Sequence, residues 1–577
     1  MCYDRIGFTK CKIHEKYIPT MEEVMSIELL ETIFKFIGGL GMFIYGMNVM
    51  ADGLQKSAGN KMKQLLGFLT NNRFLAVLVG ALITAIIQSS SATTVMVVGF
   101  VNAGLVNLFQ AVGVIMGANI GTTITSWLVS LNEWEWGALL KPEFLAPLFI
   151  GIGAFTIMFA KKEKKKEIGE ILVGFGVLFI GLSFMSGAIK PYSDSPIFSN
   201  AFRVLGANPL LGVLTGAVVT AIIQSSSASV GILQTLAMNG VVNWNSAVYI
   251  TLGQNIGTCV TALLSSTGAN KTAKRAAIIH LLFNLVGAVI FGLIMFFVFQ
   301  FNAGFASSEI NSVQISIFHT IFNIANTILL FPFANLLVKL SGMIIKDSST
   351  EDSSDEVKLT LNHLDNRILE SPSFAVESVV KEVIHVGEVT IDNVKLSMEA
   401  IVENDVEKAN RVFETEKAID KMVHLISEYL VKISNLSITE RQQMIVNHMF
   451  YTISNVERVG DHAENLAELA VEKANHGIEF SEEAREEIQE ISSIAMASFE
   501  NSIMARKTEN VEYVRNVVKL EDMVDSLEDE LRERHIQRLT DNKCKSETGV
   551  VFIDALTNLE RISDHSLNIA NYVKDEI

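Results

Sequence analysis

The spacing of apolar residues changes sharply near position 345. From Glu28 to Ile345 they form long runs separated by short polar loops, whereas from Lys346 onward they recur at helical spacing among Glu, Asp, Lys and Asn. Several runs reach the ~20 residues that a helix needs to cross the hydrocarbon core of a bilayer. These runs include Ile168–Ile189, Ala276–Phe299 and Ile315–Leu340. The pattern predicts an all-α protein: a polytopic membrane domain over 28–345 and a soluble helical domain after it.

The apolar half contains an internal repeat. Asn72–Ser130 aligns with Asn208–Ser266 without a gap, at an offset of 136 residues (224 − 88). Both copies contain the nine residues TAIIQSSSA, at Thr84–Ala92 and Thr220–Ala228. Internal repeats are typical of secondary transporters, whose sites lie between the halves. We therefore expect two repeated halves, around 34–160 and 168–299.

The distribution of lysine and arginine predicts how the repeats are oriented. The basic segments 161–166 and 271–275 are expected on the cytoplasmic side. Tracing the chain from these two loops makes the repeats antiparallel, with the N-terminus outside. Asn72–Gly104 then has both ends inside and Asn208–Gly240 has both ends outside, so we expect two re-entrant helical hairpins with QSSS near each tip.

The remaining segments divide the chain further. Residues 1–27 form an N-terminal extension, and 346–372 form an acidic linker in which Lys346–Lys358 is expected to act as a mobile hinge. Residues 373–577 form the second domain, which is itself duplicated: Glu416–Asp420 recurs as Glu521–Asp525.

The net charge of −17 argues against nucleic acid as a partner. The four scattered cysteines predict no metal or redox site.

The QSSS motifs are the first candidate site. They comprise Gln88, Ser89, Ser90 and Ser91 in the first copy and Gln224, Ser225, Ser226 and Ser227 in the second. Polar groups at mid-membrane are costly unless they meet partners. Hydroxyl and amide oxygens suit a dehydrated Na⁺, hydroxyls donate to oxyanions, and a helix starting at the break would attract an anion. The alternative is helix packing by small polar residues. No Gly-x-Ser-x-Gly elbow or catalytic triad is present, so an enzyme is not expected.

Two further sets of polar residues lie in the apolar half. Asn119 and Thr122, with Thr125, recur as Asn255 and Thr258, with Thr261, on the helix after each hairpin. They are expected to complete cation sites, or else to be incidental beside packing glycines.

The second set is the pattern H-x-x-F-N at His280–Asn284 and His319–Asn323. Hydrogen bonding between spans is the favoured interpretation of this set, and lining of the transport path is the alternative.

Paired carboxylates are the candidate chemistry of the soluble half. Glu-x-x-x-Asp places two carboxylates on one helix face. The pairs are Glu416 with Asp420, Glu457 with Asp461, Glu521 with Asp525, and Glu560 with Asp564. Four pairs at repeat-equivalent places predict a multinuclear cation site. The alternative is charge pairing on solvated helix faces, with Arg458 and Arg561 as partners.

The doubled QSSS, with GANIGTTIT at Gly117–Thr125 and GQNIGTCVT at Gly253–Thr261, closely resembles the type II sodium–phosphate cotransporters over about 34–345. The resemblance implies Na⁺-driven uptake of inorganic phosphate, with Na⁺ as the coupling ion and the substrate between the QSSS tips. The eight QSSS residues are then the expected ligands, with Asn119, Thr122, Asn255 and Thr258 as secondary candidates. A phosphate sensor and a carrier of another oxyanion remain alternatives.

The C-terminal half resembles PhoU, a phosphate-signalling protein of two three-helix repeats. The matching segments are 457–465 (ERVGDHAEN) and 560–568 (ERISDHSLN). This resemblance implies divalent or iron-type metal ions at the Glu-x-x-x-Asp pairs, regulation rather than transport, and phosphate-signalling proteins as partners. The fusion resembles the bacterial branch of the transporter family. This implies a multi-pass protein of the bacterial plasma membrane with its C-terminal domain in the cytoplasm.

Overall fold

A computed structural model describes residues 21–58, 72–134, 141–192, 208–346, 361 and 364–577, with side chains from residue 28 onward. Residues 1–20 of the predicted extension (1–27) and residues 347–358 of the predicted hinge lie outside these residues, whereas 21–27 belong to the first helix. The described chain is almost entirely helical and contains no strand beyond an isolated bridge between Asn243 and Glu309. The predicted all-α class is confirmed.

The membrane domain contains fourteen described α-helices. They are α1 (Met21–Ala58), α2 (Arg73–Ile87), α3 (Ser90–Asn102), α4 (Leu108–Gly121), α5 (Thr123–Ser130), α6 (Pro142–Phe159), α7 (Glu163–Ile189), α8 (Pro209–Ile223), α9 (Ser226–Met238), α10 (Trp244–Ser265), α11 (Lys271–Phe301), α12 (Ala303–Ser307), α13 (Ser312–Leu330) and α14 (Ala334–Ile344). Seven stretches of the described residues are long and apolar enough to cross a membrane. These are 28–58, 108–133, 142–159, 163–192, 244–265, 271–301 and 312–344.

Two pairs of short helices form the predicted hairpins. α2 has 15 residues and α3 has 13, and their repeat counterparts α8 and α9 have the same lengths. At 1.5 Å per residue each is roughly 20 Å long, too short to cross the ~30 Å core. The two helices of each pair are joined at QSSS and contact one another, so the chain turns back at the motif.

Close glycine contacts hold each hairpin against the helix that follows it. A Cβ added at Gly117 of α4 would lie 2.0 Å from the Val77 carbonyl oxygen of α2, and one at Gly253 of α10 would lie 2.0 Å from the Val213 oxygen of α8. Only glycine permits two helix backbones to approach so closely. The glycines beside Asn119 and Asn255 therefore have the close-packing role that the sequence predicts.

The two hairpins open at opposite ends of the membrane domain. At the end of hairpin α2–α3, the Asn102 backbone carbonyl accepts a hydrogen bond from Asn270 Nδ2 at 3.0 Å, just before α11 begins. At the end of hairpin α8–α9, the Trp244 N–H donates to the Ser308 carbonyl at 3.1 Å, just after α11 and α12 end. Because α11 separates these two contacts along its length, the repeats are inverted, as predicted.

The C-terminal domain is a bundle of six helices. They are α15 (Pro372–Glu403), α16 (Val406–Ser434), α17 (Glu440–His476), α18 (Glu482–Thr508), α19 (Val511–Thr540) and α20 (Ser546–Glu576). Each follows an amphipathic pattern, and its apolar face enters a shared core. α15 to α17 and α18 to α20 are the two predicted three-helix repeats. α17 and α20 carry the Glu-x-x-x-Asp pairs at 457–461 and 560–564.

Candidate functional site

Each hairpin breaks at its glutamine. Gln88 and Gln224 end α2 and α8 in the left-handed conformation, with φ of 57° and 56°. Ser89 and Ser225 then begin the next half-helices, because their hydroxyls accept hydrogen bonds from the backbone N–H groups of Ala92 (3.1 Å) and Ala228 (3.2 Å). The N-termini of α3 and α9 therefore point into the break, where free N–H groups attract anions.

The two tips meet in the interior of the membrane domain. Ser90 Oγ and Ser226 Oγ are 3.3 Å apart, and both serines are buried. Ser227 Oγ also donates to the Gln88 carbonyl oxygen at 3.4 Å. The structure thus brings together residues 136 positions apart, as the inverted trace predicts.

Thr125 joins the two tips on one side. Its hydroxyl donates to Gln88 Oε1 at 3.1 Å and accepts from Ser227 Oγ at 3.5 Å. The sequence places Thr125 among the residues expected to complete a cation site, but its contact with the opposite hairpin depends on the fold. Gln88, Thr125 and Ser227 together form a cluster of neutral oxygens beside the paired serines.

A hydrogen bond within each hairpin fixes its two halves. Thr84 Oγ1 donates to Thr93 Oγ1 at 3.0 Å, and the counterpart Thr220 Oγ1 donates to Ser229 Oγ at 2.8 Å. All four residues are buried. These bonds hold the half-helices of each hairpin at a fixed spacing below the tip.

Gln234 anchors the second hairpin and was not among the sequence candidates. Its Nε2 donates to the Ser126 carbonyl of α5 at 3.0 Å and to Ser316 Oγ of α13 at 2.9 Å. The signal was available, because a glutamine within an apolar helix needs a partner. The equivalent position in the first repeat is Val98, so this anchor belongs to one hairpin only.

The two tips differ in exposure and in the helix that supports them. Gln88 is 3% exposed, whereas Gln224 is exposed. The helix after the first hairpin is interrupted at Thr122, between α4 and α5, whereas Thr258 lies within the continuous α10. Ser91 Oγ is buried with no hydrogen-bond partner among the described residues. The repeats therefore build similar tips in different surroundings.

The secondary candidates bond to their own helices. Asn119 Nδ2 donates to the Ile115 carbonyl at 2.8 Å, and Asn255 Nδ2 donates to the Thr251 carbonyl at 3.0 Å. Thr258 Oγ1 likewise donates to the Gln254 carbonyl at 2.9 Å. With their donors engaged, these asparagines can offer a cation their amide oxygens.

The predicted acidic pairs of the soluble domain fall into two different clusters. Carboxylate oxygens of Glu521, Asp525 and Asp564 lie within 4.8 Å of one another. Burial and the neighbouring carboxylates raise the pKa values of Glu521, Asp525 and Glu560. Carboxylate oxygens are suitable ligands for divalent cations, and a bound cation would relieve this repulsion.

The acidic residues of the first repeat of the soluble domain include a more deeply buried carboxylate. Glu416 is 2% exposed and accepts from Asn393 Nδ2 at 3.4 Å. Burial, followed by the charges of Asp420 and Asp461, raises the pKa of Glu416 to about 8. Burial and Asp461 also raise the pKa of Glu457. Neutral Glu416 is therefore the favoured form near pH 7 when no cation is bound.

Two arginines form the charge pairs that the alternative interpretation expects. Arg458 lies 3.2 Å from Asp461 and Arg561 lies 3.0 Å from Asp564, both at exposed positions. Exposed pairs of this kind contribute little to stability. The charge pairs of the alternative interpretation are present, and Asp564 is also a member of the cluster with Glu521 and Asp525.

The histidines after these aspartates join the two repeats of the soluble domain. His462 Nδ1 is 2.8 Å from Asn558 Oδ1, and His565 Nδ1 is 2.9 Å from Asn455 Oδ1. The two imidazole rings stack with centroids 5.6 Å apart. The D-H-x-x-N pattern thus fixes α17 against α20.

The linker and the start of the soluble domain contact the first hairpin directly. Asn102 Nδ2, at the end of α3, donates to Asp365 Oδ2 at 2.8 Å, and the rings of Phe100 and Phe374 pack edge to face at 5.5 Å. Arg367 binds Asp365 at 2.6 Å and donates to the Ser265 carbonyl at 2.7 Å. The half-helix that carries Ser90 therefore ends against the second domain.

Two protein-family models match separate parts of the chain. Residues 42–187 and 194–311 match the Na⁺/Pi-cotransporter family, and 383–470 and 488–573 match the PhoU domain. The chain is 23% identical to the "Putative inorganic phosphate export protein YjbB" of Salmonella typhimurium over 94% of its own length and 98% of that protein. It is 34% identical to the human "Sodium-dependent phosphate transport protein 2B" over 17% of this chain and 14% of that one.

Among solved structures, PhoU from Pseudomonas aeruginosa is similar, with a TM-score of 0.34 and 22% identity over 35% of this chain and 96% of that one. The chain is a multi-pass helical protein in which a membrane domain of the Na⁺/Pi-cotransporter family is followed by a PhoU domain.

Proposed function

We propose that this protein couples the movement of inorganic phosphate across the membrane to Na⁺, and that its PhoU domain regulates that movement. The observation that carries the proposal is the meeting of Ser90 and Ser226 at 3.3 Å, each at the start of a half-helix. Phosphate bound between them would receive hydroxyl hydrogen bonds from both tips and backbone N–H groups from both helix N-termini.

Neutral oxygens beside the tips favour Na⁺ as the coupling ion. Gln88 Oε1, Thr125 Oγ1 and Ser227 Oγ are linked by contacts of 3.1 and 3.5 Å, and the Gln88 carbonyl oxygen lies 3.4 Å from Ser227 Oγ. A Na⁺ bound to these oxygens would hold the two tips together before the anion binds. Rocking of the inverted halves would then open the site to each side in turn.

The direction of net movement distinguishes two versions of this function. The expected version is uptake driven by the inward Na⁺ gradient, at the plasma membrane of a bacterium. Export is the second version, because a relative that matches nearly the whole chain is named for phosphate export. A sensor that signals phosphate through its PhoU domain, with phosphate-signalling proteins as partners, is a third possibility that would show no flux.

The decisive experiment measures [³²P]phosphate flux in proteoliposomes that contain the purified full-length protein. Wild type is expected to move phosphate when Na⁺ is present and not when choline replaces it. Ser90→Ala combined with Ser226→Ala is expected to reduce the flux to about a tenth or less, because both oxyanion donors are lost. Ser341→Ala, a buried serine of α14, is the matched control.

The outcomes separate the parts of the proposal. Flux that does not depend on Na⁺ would refute coupling, and full flux in the double variant would refute the site. Absence of flux from both phosphate-loaded and phosphate-free vesicles would favour the sensor. Comparing uptake with efflux under matched gradients identifies the preferred direction, and competition by sulfate tests the identity of the anion.

A further inference from the structure

The last residues of the linker are buried between the membrane domain and the soluble domain. Asp365 is 8% exposed, Ile368 is 0% exposed and Ser371 is 1% exposed. Asn366–Glu370 forms a short 3₁₀ helix that Asp365 caps, because its carboxylate accepts from the Arg367 N–H at 2.9 Å. A segment rich in Ser, Asp and Glu is expected to be solvated. Burial at this end of the linker therefore indicates a specific contact.

An ion pair of the linker bridges the two repeats of the membrane domain. Asp365 Oδ2 accepts from Asn102 Nδ2 of α3 at 2.8 Å and from Arg367 Nη1 at 2.6 Å. The same guanidinium donates through Nε to the Ser265 carbonyl, at the end of α10, at 2.7 Å. Asn270, which precedes α11, donates to both oxygens of Asn102. The ends of α3, α10 and α11 therefore meet around one carboxylate and one guanidinium.

The linker packs directly against α3 beside this ion pair. A Cβ added at Gly99 would lie 2.9 Å from Arg367 Cβ and 3.3 Å from Ile368 Cγ1. The ring of Phe100, the next residue, packs edge to face on Phe374 at 5.5 Å. The glycine thus gives the linker the space that it needs, and α3 can leave this position only if these contacts break.

The second hairpin lacks the residues of α3 that receive the linker. At the repeat offset of 136, Gly99 corresponds to Thr235 (235 − 99) and Asn102 corresponds to Met238 (238 − 102). The nine residues around the two tips are identical by contrast. The contact with the linker is therefore a separate feature of the first hairpin and not a consequence of the repeat.

The soluble domain holds the linker from the other side. Tyr429 of α16 is 3% exposed, and its hydroxyl donates to the Asp365 carbonyl oxygen at 3.0 Å. Lys432, one residue short of a turn later, donates through Nζ to Asn366 Oδ1 at 3.1 Å. A displacement of α16 relative to the membrane domain would therefore also displace the ion pair.

The proposed transport cycle requires these contacts to change. The first hairpin opens at the end of the membrane domain that meets the soluble domain, and alternating access separates the repeats at that end in one of its states. The bonds from Asn102 through Asp365 and Arg367 to Ser265 join α3 to α10, so at least one of them must break. Breaking a largely buried ion pair is costly, because each charge is left without its partner.

We infer that Asp365 and Arg367 act as a clamp, which keeps the site closed on the side of the soluble domain until α16 releases it. The effect of the clamp on transport rests on the proposed function, whereas the clamp contact itself does not. The soluble domain would then regulate phosphate movement by holding or freeing one end of the first hairpin.

Tyr429→Phe tests the release of the clamp, because it removes the hydroxyl that holds the Asp365 carbonyl and keeps the ring. In proteoliposomes with full-length protein we expect the initial Na⁺-dependent [³²P]phosphate flux to rise by about threefold or more. Tyr451→Phe is the matched control, because Tyr451 is 56% exposed on α17, and it should leave the flux unchanged. Arg367→Met removes the guanidinium, keeps the stem beside Gly99 and should raise the flux at least as much.

Asp365→Asn combined with Arg367→Met replaces the single variant if Arg367→Met does not fold, because the double variant leaves no charge unpaired. Gel filtration and the melting temperature establish folding for every variant. An unchanged or lower flux in the folded arginine variant would overturn the role of the clamp in transport.

Trypsin cleavage after Arg367 measures the clamp without any flux. The side chain is 17% exposed and its guanidinium is bonded, so cleavage requires the clamp to open and its rate follows the population of the open form. We expect Tyr429→Phe to form the fragment that begins at Ile368 about threefold faster or more, and Tyr451→Phe to form it at the wild-type rate.

The two measurements separate the clamp from the proposed function. Equal cleavage in Tyr429→Phe and wild type would overturn the clamp. Absence of flux from wild type and from every variant would refute the proposed function, while faster cleavage in Tyr429→Phe would still support the clamp.

Discussion

At the scale of single residues, the site depends on side chains that are held by the opposite repeat. Ser227 belongs to the second hairpin, yet its hydroxyl contacts the Gln88 carbonyl of the first hairpin and Thr125 of the helix after it. Gln88 is held in the left-handed conformation, which non-glycine residues seldom adopt. The shape of each tip is therefore a property of both copies together.

Glu416 gives a prediction about pH at the same scale. Its folded pKa of about 8 is above its unfolded value, so the native state retains a proton that the unfolded state loses near pH 4.5. In chelator-treated full-length protein, this residue should lower the free energy of unfolding of the soluble domain as the pH rises from about 5 to 8. Glu416→Gln stays neutral, so its stability should fall less over that range.

Calorimetric melting at pH 5, 6.5 and 8 measures this difference, which should amount to roughly 2–4 °C for each kcal/mol in a domain of this size. Glu500→Gln changes an exposed acid of α18 and is the matched control. Equal pH slopes in wild type and Glu416→Gln would show that Glu416 ionises normally in the native state.

At the scale of elements, glycines set the distance between each hairpin and its supporting helix. Gly117→Ala places a methyl group where the Val77 carbonyl lies, and Gly253→Ala does the same at the Val213 carbonyl. We expect either change to reduce the stability of the membrane domain by about 1–3 kcal/mol, because α2 and α4, or α8 and α10, must separate.

Thermal stability in detergent, measured by the monodisperse fraction after heating, checks this expectation. Gly151→Ala is the control, since nothing lies within 4 Å of a Cβ added on that face of α6. It should change stability by less than about 0.5 kcal/mol. If Gly117→Ala melted like Gly151→Ala, the close helix approach would not be a constraint.

The elements could be predicted well from sequence because repetition and charge asymmetry are properties of the sequence itself. Two copies of TAIIQSSSA at one offset, together with the basic segments 161–166 and 271–275, were sufficient to predict inverted hairpins that the structure confirms. The sequence predicts a cation-site role for Thr125, but the contacts of Thr125 and Gln234 with other helices could not be predicted in this way. Their roles depend on which helices become neighbours, and hydrophobic pattern does not determine that.

At the scale of the whole molecule, the soluble domain is connected to two parts of the membrane domain. The end of α3 contacts Asp365 of the linker and Phe374 of the soluble domain, and Glu163 at the start of α7 accepts from the Glu440 N–H of α17 at 3.0 Å. α17 also carries Glu457 and Asp461. α17 therefore joins the Glu457–Asp461 pair to the start of α7, whereas Asp365 and Phe374 form the contact with α3.

Asp365→Ala tests this connection, because it removes the carboxylate that accepts from Asn102 Nδ2 and pairs with Arg367. We expect amide hydrogen exchange near Gly99–Asn102 to rise by about tenfold or more, while the tips remain folded. Arg458→Ala, on an exposed face of α17, should leave exchange at α3 unchanged. Unaltered protection of α3 in Asp365→Ala would show that the contact does not restrain the hairpin.

The pairing of Ser90 with Ser226 also has a consequence for the shape of the substrate. These serines are related by the repeat, so the point between them lies on the approximate two-fold axis of the membrane domain. A tetrahedral anion has two-fold axes through its central atom, so it can present two equivalent oxygens to each tip. A planar anion such as nitrate cannot do so with its three oxygens. The proposed site should therefore bind tetrahedral anions in preference to planar ones.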